Sequence, residues 1–257
     1  MQYSFDTTGP LVADIAIRSG RVDVVNGTGA QAEVTIVGHD DDERDDIEVS
    51  FDGRLLLVRE PEGILAFWGP SRPVTVTVSI PSTSEVRVHT GSATVAVTGT
   101  FAQTALDSAS GAVTLDRIDA ASRVRTGSGR IQVRRVDAEL ALATGSGDVS
   151  VTEIHAAVRI KAGSGATTIG AAYADVAMSA GSGDVLVEVL HEGELRVRTG
   201  SGNVSIGVPS RVPVWADVSA RGGIANRLTP RGRPAEGEPC VRVRGVLGSG
   251  RLELADA

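Results

Sequence analysis

Only one cysteine, Cys240, occurs in the 257 residues, so no intrachain disulfide can form. Aromatic residues are also few, at 3% of the chain. That leaves any core to Val, Ile, Leu and Ala, and it removes the ring platforms on which sugars usually stack. No apolar run approaches the roughly 20 residues that a membrane-spanning helix needs. The opening MQYSFDTTGPLVADIAIRSG lacks the basic and apolar stretches of a secretory signal. As written, the chain reads as soluble and cytoplasmic; a cell-surface protein whose leader had been removed would read the same. Positive charge is not in excess either, since the net charge is −7, and this argues against general nucleic-acid binding. Glycine is abundant, with 31 residues, and with many valines it favours short strands and tight turns over helices.

The glycines are periodic. TGSG stands at 126–129, 144–147 and 199–202, and AGSG at 162–165 and 180–183. The second position of this word is Gly91, Ala109, Gly127, Gly145, Gly163 and Gly181, each 18 residues after the last, with Gly200 following after 19. Four residues on come Val95, Val113, Ile131, Val149, Thr167, Val185 and Val204; two further come Val97, Leu115, Val133, Val151, Ile169, Val187 and Ile206. Apolar side chains two apart lie on one face of a strand. A second pair completes each copy, as in Leu140 and Leu142 or Val158 and Ile160. A column of Ala102, Ala120, Ala138, Ala156 and Ala174 is expected to fill a narrow interior corner. Copies that cannot bury their apolar face alone must stack, like on like, about 4.8 Å apart. The prediction is an all-β protein, a parallel β-helix or β-solenoid of 18-residue coils. Six or seven coils give a rod roughly 30 Å long at that spacing. The usual crossover hand favours a right-handed helix, although an 18-residue coil also suits a left-handed triangular one.

Residues 1–80 lack this rhythm and read as a β-rich N-terminal cap, with IAIRSGRVDVV at 15–25 echoing a degenerate coil. Residues 81–206 form the regular solenoid. Residues 207–257 read as a C-terminal coil and capping hairpin, continuous with the rest. Trp68 and Trp215 are large enough to plug the two ends of an aliphatic core, whose open strand edges need covering.

Catalytic and cofactor chemistry finds little support. A phosphate loop leads from a strand into a helix, whereas every GSG here precedes V-x-V. The word reads instead as a turn in which glycine allows positive φ and serine caps the backbone. A calcium β-roll needs an aspartate in every loop, and only Asp148 and Asp184 follow GSG. The acidic run HDDDERDD at 39–46 reads as a solvated loop tip. His155 and His191 occupy one repeat position two coils apart, about 9.6 Å, too far to share a zinc ion; His39 and His89 have no evident partners. Asp148 and Asp184, with Glu153 and Glu188 nearby, could satisfy a glycosidase spacing, but no insertion interrupts the repeats to make a cleft. The expectation is no enzyme, no metal and no cofactor.

One surface feature exceeds the ordinary. Arg87/His89, Arg123/Arg125, Arg159/Lys161 and Arg196/Arg198 recur every second coil at outward positions, separated by Ala105/Asp107, Ala141/Ala143 and Ala177/Ser179. Arginines so spaced keep a stripe solvated and unstackable. They also make a basic ladder that could face a protein or an anionic polymer.

From TGSATVAV to TGSGNVSI the copies resemble the bacterial β-strand-repeat domains of unknown function grouped as "putative adhesins", marked by T-G-S-G-[DNR]-[VI]-x-[VIL]. The resemblance covers 85–206 and implies a single-stranded parallel β-helix with a role in surface interaction or envelope stress. It carries no catalytic residues with it. The expected function is a non-enzymatic interaction or scaffold module of uncharacterised ligand. The alternatives are a bactofilin-like polymer stacking through its solenoid ends and a carbohydrate-active β-helix enzyme.

Overall fold

Alternation of apolar and polar residues produces strands throughout: 25 strands and no helix occur among the described residues. The structure is a computed structural model that describes residues 1–38, 47–60, 73–229 and 240–257. The acidic run at 39–46 and Trp68 lie outside them. The chain is a β-solenoid, each coil giving one strand to each of two sheets, and it divides into two units, Met1–Arg130 and Ile131–Ala257.

The first unit contains β1 (Gln2–Asp6), β2 (Val12–Ile17), β3 (Gly20–Asn26), β4 (Gln31–Val37), β5 (Glu48–Phe51), β6 (Leu55–Arg59), β7 (Val74–Ile80), β8 (Glu85–Thr90), β9 (Thr94–Thr98), β10 (Gln103–Ser108), β11 (Val113–Ile118) and β12 (Ser122–Thr126). In one sheet β8, β10 and β12 pair in parallel; in the other, β9 pairs β11. The echo at 15–25 is a true coil, because β2 pairs β8 and β3 pairs β9 in parallel. This coil has a second neighbour from later in the chain, since β6 pairs β2 and β7 pairs β3 on its far side. Antiparallel strands then finish the unit, β4 on β7, β1 on β4 and β5 on β6. Tyr3 stacks on Phe5 and Phe5 meets Phe51 at a tilt there, with ring centroids 6.5 and 5.4 Å apart.

The second unit contains β13 (Ile131–Val136), β14 (Leu140–Thr144), β15 (Val149–Ile154), β16 (Val158–Ala162), β17 (Thr167–Ala172), β18 (Val176–Ser182), β19 (Val185–Leu190), β20 (Gly193–Ser201), β21 (Val204–Val208), β22 (Val214–Ala220), β23 (Ile224–Arg227), β24 (Val241–Leu247) and β25 (Leu252–Asp256). Ile131, Val149, Thr167, Val185 and Val204 stack in register, as the repeat requires. All five are buried, though Thr167 Oγ1 has no hydrogen-bond partner among the described residues. The segment 241–256 is not the expected hairpin. β24 pairs β20 and β25 pairs β21 in parallel, so the segment is a coil, and the coil β22–β23 stacks beyond it. Trp215 does not plug the core: it points outward on β22 and is 50% exposed.

Two smaller features also differ from expectation. The alanine column stands at half-buried or exposed positions. The interior corner is filled two residues earlier by Ile118 in the first unit and by Val136, Ile154, Ala172 and Leu190 in the second, all buried. In three copies of the glycine word, the leading Ser or Thr caps the turn. Oγ of Ser108, Thr126 and Thr144 accepts the N–H of Gly111, Gly129 and Gly147 at 3.0, 2.9 and 2.9 Å. The serine N–H instead bonds the preceding coil, as Ser128 does to Ala109 O at 3.0 Å. Backbones approach so closely here that a Cβ built on Gly129 would meet Gly111 O at 2.0 Å. In the copies without that cap at 162–165, 180–183 and 199–202, the closing Gly165, Gly183 and Gly202 adopt positive φ, 115°, 123° and 122°.

Candidate anion-binding surface

Strand alternation aims the ladder residues outward while Val158, Ile160, Leu195 and Val197 are buried beneath them. In the second unit, Arg159 and Lys161 on β16 stand in register with Ala177 and Ser179 on β18. These in turn oppose Arg196 and Arg198 on β20. Long cationic side chains therefore flank a rung of small ones, and the two walls are about 9.6 Å apart at the ordinary strand spacing. The result is an open groove of about 890 Å³ with Ala177 and Ser179 on its floor.

The next rungs extend the groove with residues that sequence reasoning missed. Arg244 and Val246 on β24 oppose Arg196 and Arg198, and Asp217 and Ser219 on β22 oppose Arg244 and Val246. VRVRGVL at 241–247 has the alternation of LRVR at 195–198. The missing information was that β24, 48 residues after β20 (Gly193 against Val241), is its neighbour.

Two of the arginines are held. Arg196 donates to Glu194 Oε2 at 2.7 Å, and Arg244 Nε lies 3.2 Å from Glu194 Oε1. The hydrogen bond from Arg196 is the main reason that the Glu194 carboxyl sits below the usual carboxylate range; burial opposes it, and the charges of Arg196, Arg244 and Arg242 reinforce it. The Arg196 guanidinium is raised in turn, chiefly by its bond to Glu194. The Arg244 guanidinium also lies 5.4 Å from the Trp215 ring centroid, within cation–π range. Arg159, Lys161 and Arg198 have no ion-pair partner among the described residues.

The ladder residues of the first unit are more compensated. Arg87 pairs with Glu85 at 2.8 Å, and His89 Nδ1 lies 3.9 Å from Asp107. Arg123 and Arg125 on β12 stand in register with Ala105 and Asp107 on β10, so one carboxylate faces that pair.

The other candidate groups serve the fold. Asp148 Oδ1 accepts the Ala166 N–H at 3.0 Å and Asp184 Oδ1 the Asn203 N–H at 2.7 Å. Each acid or amide after GSG thus ties its coil to the next. Glu153 is engaged by Arg135 at 3.1 Å and lies 3.4 Å from His155. His155 and His191 are joined through Tyr173 into a stacked ladder, with ring centroids 4.8 and 4.3 Å apart. Among the described residues, no group of three or more His, Cys, Asp or Glu is placed to hold a metal ion. No helix there is long and apolar enough to cross a membrane.

The sequence profile of Toastrack DUF4097 matches residues 12–213. Among solved structures, a "putative adhesin" of Bacteroides fragilis is 14% identical, with a TM-score of 0.50 over 99% of this chain and 96% of its own. A second, from Parabacteroides distasonis, is also 14% identical, with a TM-score of 0.48 over 98% and 96%. At 14% identity the likeness to the Bacteroides fragilis protein is one of fold. No curated protein matches the chain.

Proposed function

The chain belongs to the Toastrack DUF4097 family, and from its surface chemistry we propose that it is a non-enzymatic β-solenoid module that binds an anionic partner. The observation that carries this is the groove of the second unit, where Arg159, Lys161 and Arg198 surround the small residues Ala177 and Ser179 and make no ion pair among the described residues, while the carboxylate that lines the groove, Asp217, stands in register with Arg244. Unpaired cations in one open groove raise the local concentration of anions. Arg196 completes the wall, its direction fixed by Glu194. Arg123 and Arg125 make a second, smaller basic strip on the first unit, with Arg87 set beside it. The commitment of Asp148 and Asp184 to main-chain N–H groups supports a binding role over catalysis.

The test is binding to a soluble polyanion, heparin, followed by fluorescence anisotropy over a salt series. R159E/K161E/R198E is expected to lose most of the binding, and the wild-type affinity to fall steeply with salt. Equal binding by wild type and variant would overturn the assignment.

A second reading rests on the last rung of the second unit. Among the described residues β22 and β23 each pair on one side only, and the inward-directed Ala216 and Ile224 are exposed. Such an end suits end-to-end association. Concentration-dependent assembly in light scattering supports it; a monodisperse monomer refutes it.

A further inference from the structure

The groove does not end in cations. At its far rungs the same sheet face presents two of the most exposed large apolar side chains among the described residues, Trp215 at 50% and Val246 at 59%. Both belong to strands whose other outward residues are charged or small. Val246 stands directly opposite Arg198, and Trp215 opposite Arg242 with the Arg244 guanidinium at its ring. An aromatic ring and an aliphatic side chain exposed among arginines cost solvation free energy in water and contribute nothing toward a small, fully hydrated anion.

We infer that the partner of this face is the surface of an anionic lipid bilayer, bound peripherally; the inference rests on the anion-binding groove proposed above. The chemistry divides between the parts of a lipid. Phosphates and acidic headgroups meet Arg159, Lys161 and Arg198, and the interfacial zone receives Trp215 and Val246, since tryptophan's amphipathic ring prefers that depth. The charge layout on the face agrees. The outward column that runs Ala143, Lys161, Ser179, Arg198, Val246 and Ser219 contains no carboxylate. The middle column, Arg159, Ala177, Arg196 and Arg244, ends in one carboxylate, Asp217. In the column of Trp215 the carboxylates are committed, Asp175 to the Glu194 N–H at 2.8 Å and Glu194 to Arg196 and Arg244.

The experiment uses the full chain with W68F, so that tryptophan emission reports Trp215 alone. Vesicles of phosphatidylcholine with phosphatidylglycerol are compared with phosphatidylcholine alone and with heparin, by co-sedimentation or chromatography and by emission. The inference expects co-sedimentation with the anionic vesicles only, a blue shift of Trp215 on those vesicles, and no shift with heparin. R159E/K161E/R198E is expected to weaken vesicle binding by on the order of 100-fold, from about fivefold for each near-surface cation. V246S, which removes the 59% exposed apolar side chain without adding charge beside Arg198, is expected to weaken vesicle binding while sparing heparin binding. Heparin binding without vesicle binding or emission shift would overturn the bilayer inference and leave the anionic groove standing. Binding to neither would overturn both.

Discussion

Substituting Gly129 by Ala tests whether the repeating glycine word exists to let backbones touch. Its Cβ would sit 2.0 Å from the Gly111 carbonyl oxygen, against an ordinary contact of 3.4 Å or more. Relief requires the two coils to part by roughly 1.4 Å, a large fraction of the ordinary strand spacing. At that separation the adjacent bonds from Gly127 N to Ser108 O and from Ser128 N to Ala109 O, both 3.0 Å, no longer form. Two lost bonds at about 1 kcal/mol each, with overpacking of about 1–3 kcal/mol, give a loss of roughly 4 kcal/mol. The proper control is Gly53→Ala, at a turn with φ of 95° and no atom within 4 Å of the new Cβ. It incurs backbone strain alone, about 1–2 kcal/mol. Thermal unfolding followed by far-ultraviolet circular dichroism should place Gly129→Ala roughly 10 °C below wild type and Gly53→Ala roughly 4 °C below. If Gly129→Ala melts with or above Gly53→Ala, close approach is not what the word provides.

Thr167→Val should raise stability by about 1 kcal/mol in urea unfolding, because it replaces a buried hydroxyl with no partner inside an otherwise aliphatic column; a destabilised variant would show that the hydroxyl is satisfied. Tyr173→Ala should cost about 2 kcal/mol by the same measurement, from two ring contacts; no change would mean that the His–Tyr–His ladder adds nothing to the fold. Glu194 has its carboxyl held below the usual range in the folded state. Its contribution is present above the unfolded-state pKa of about 4.3 and is lost as pH falls through the lower folded value. Acid titration of stability should therefore fall less for Glu194→Gln than for wild type in that window, and parallel curves would refute the coupling. Asp184→Ala should lower stability by about 1 kcal/mol through the lost Asn203 N–H acceptor, with added calcium changing neither protein's melting temperature; calcium stabilisation of wild type alone would make Asp184 a ligand.

The coil period was legible because the apolar pairs and glycine words repeat at fixed spacing, and each lands on a strand or corner of the structure. Roles within a coil were harder to read. A column of small residues suits either a cramped interior or a shallow surface, and Ala138, Ala156 and Ala174 fell on the surface side while Val136, Ile154 and Leu190 took the corner. Both Thr and Ser in TGSG can cap a turn; which one does depends on side-chain direction, and Thr126 and Thr144 point inward. The alternate arginines were visible, but the Arg244 and Trp215 end of their face was not. Its adjacency comes from a coil placed out of sequence order, which no local pattern encodes. The Tyr173 link between His155 and His191 was available from the same 18-residue count, since tyrosine stands midway between them.

Out-of-order placement at each end has a kinetic meaning. A repeat array ordinarily frays from its tip, one coil after another, with each step breaking only a single interface. Here the tip coil β22–β23 lies over β24–β25, and in the first unit β6–β7 lies over β2–β3. Peeling the outer coil does not free the chain, because the segment threaded beneath it remains bound to the coil below. Each unit is in effect latched by its own chain, and unravelling from either tip must cross an additional barrier. The latch also delays assembly, since contacts spanning 43 residues (Val12 to Leu55) and 48 residues (Gly193 to Val241) must form before an end is complete.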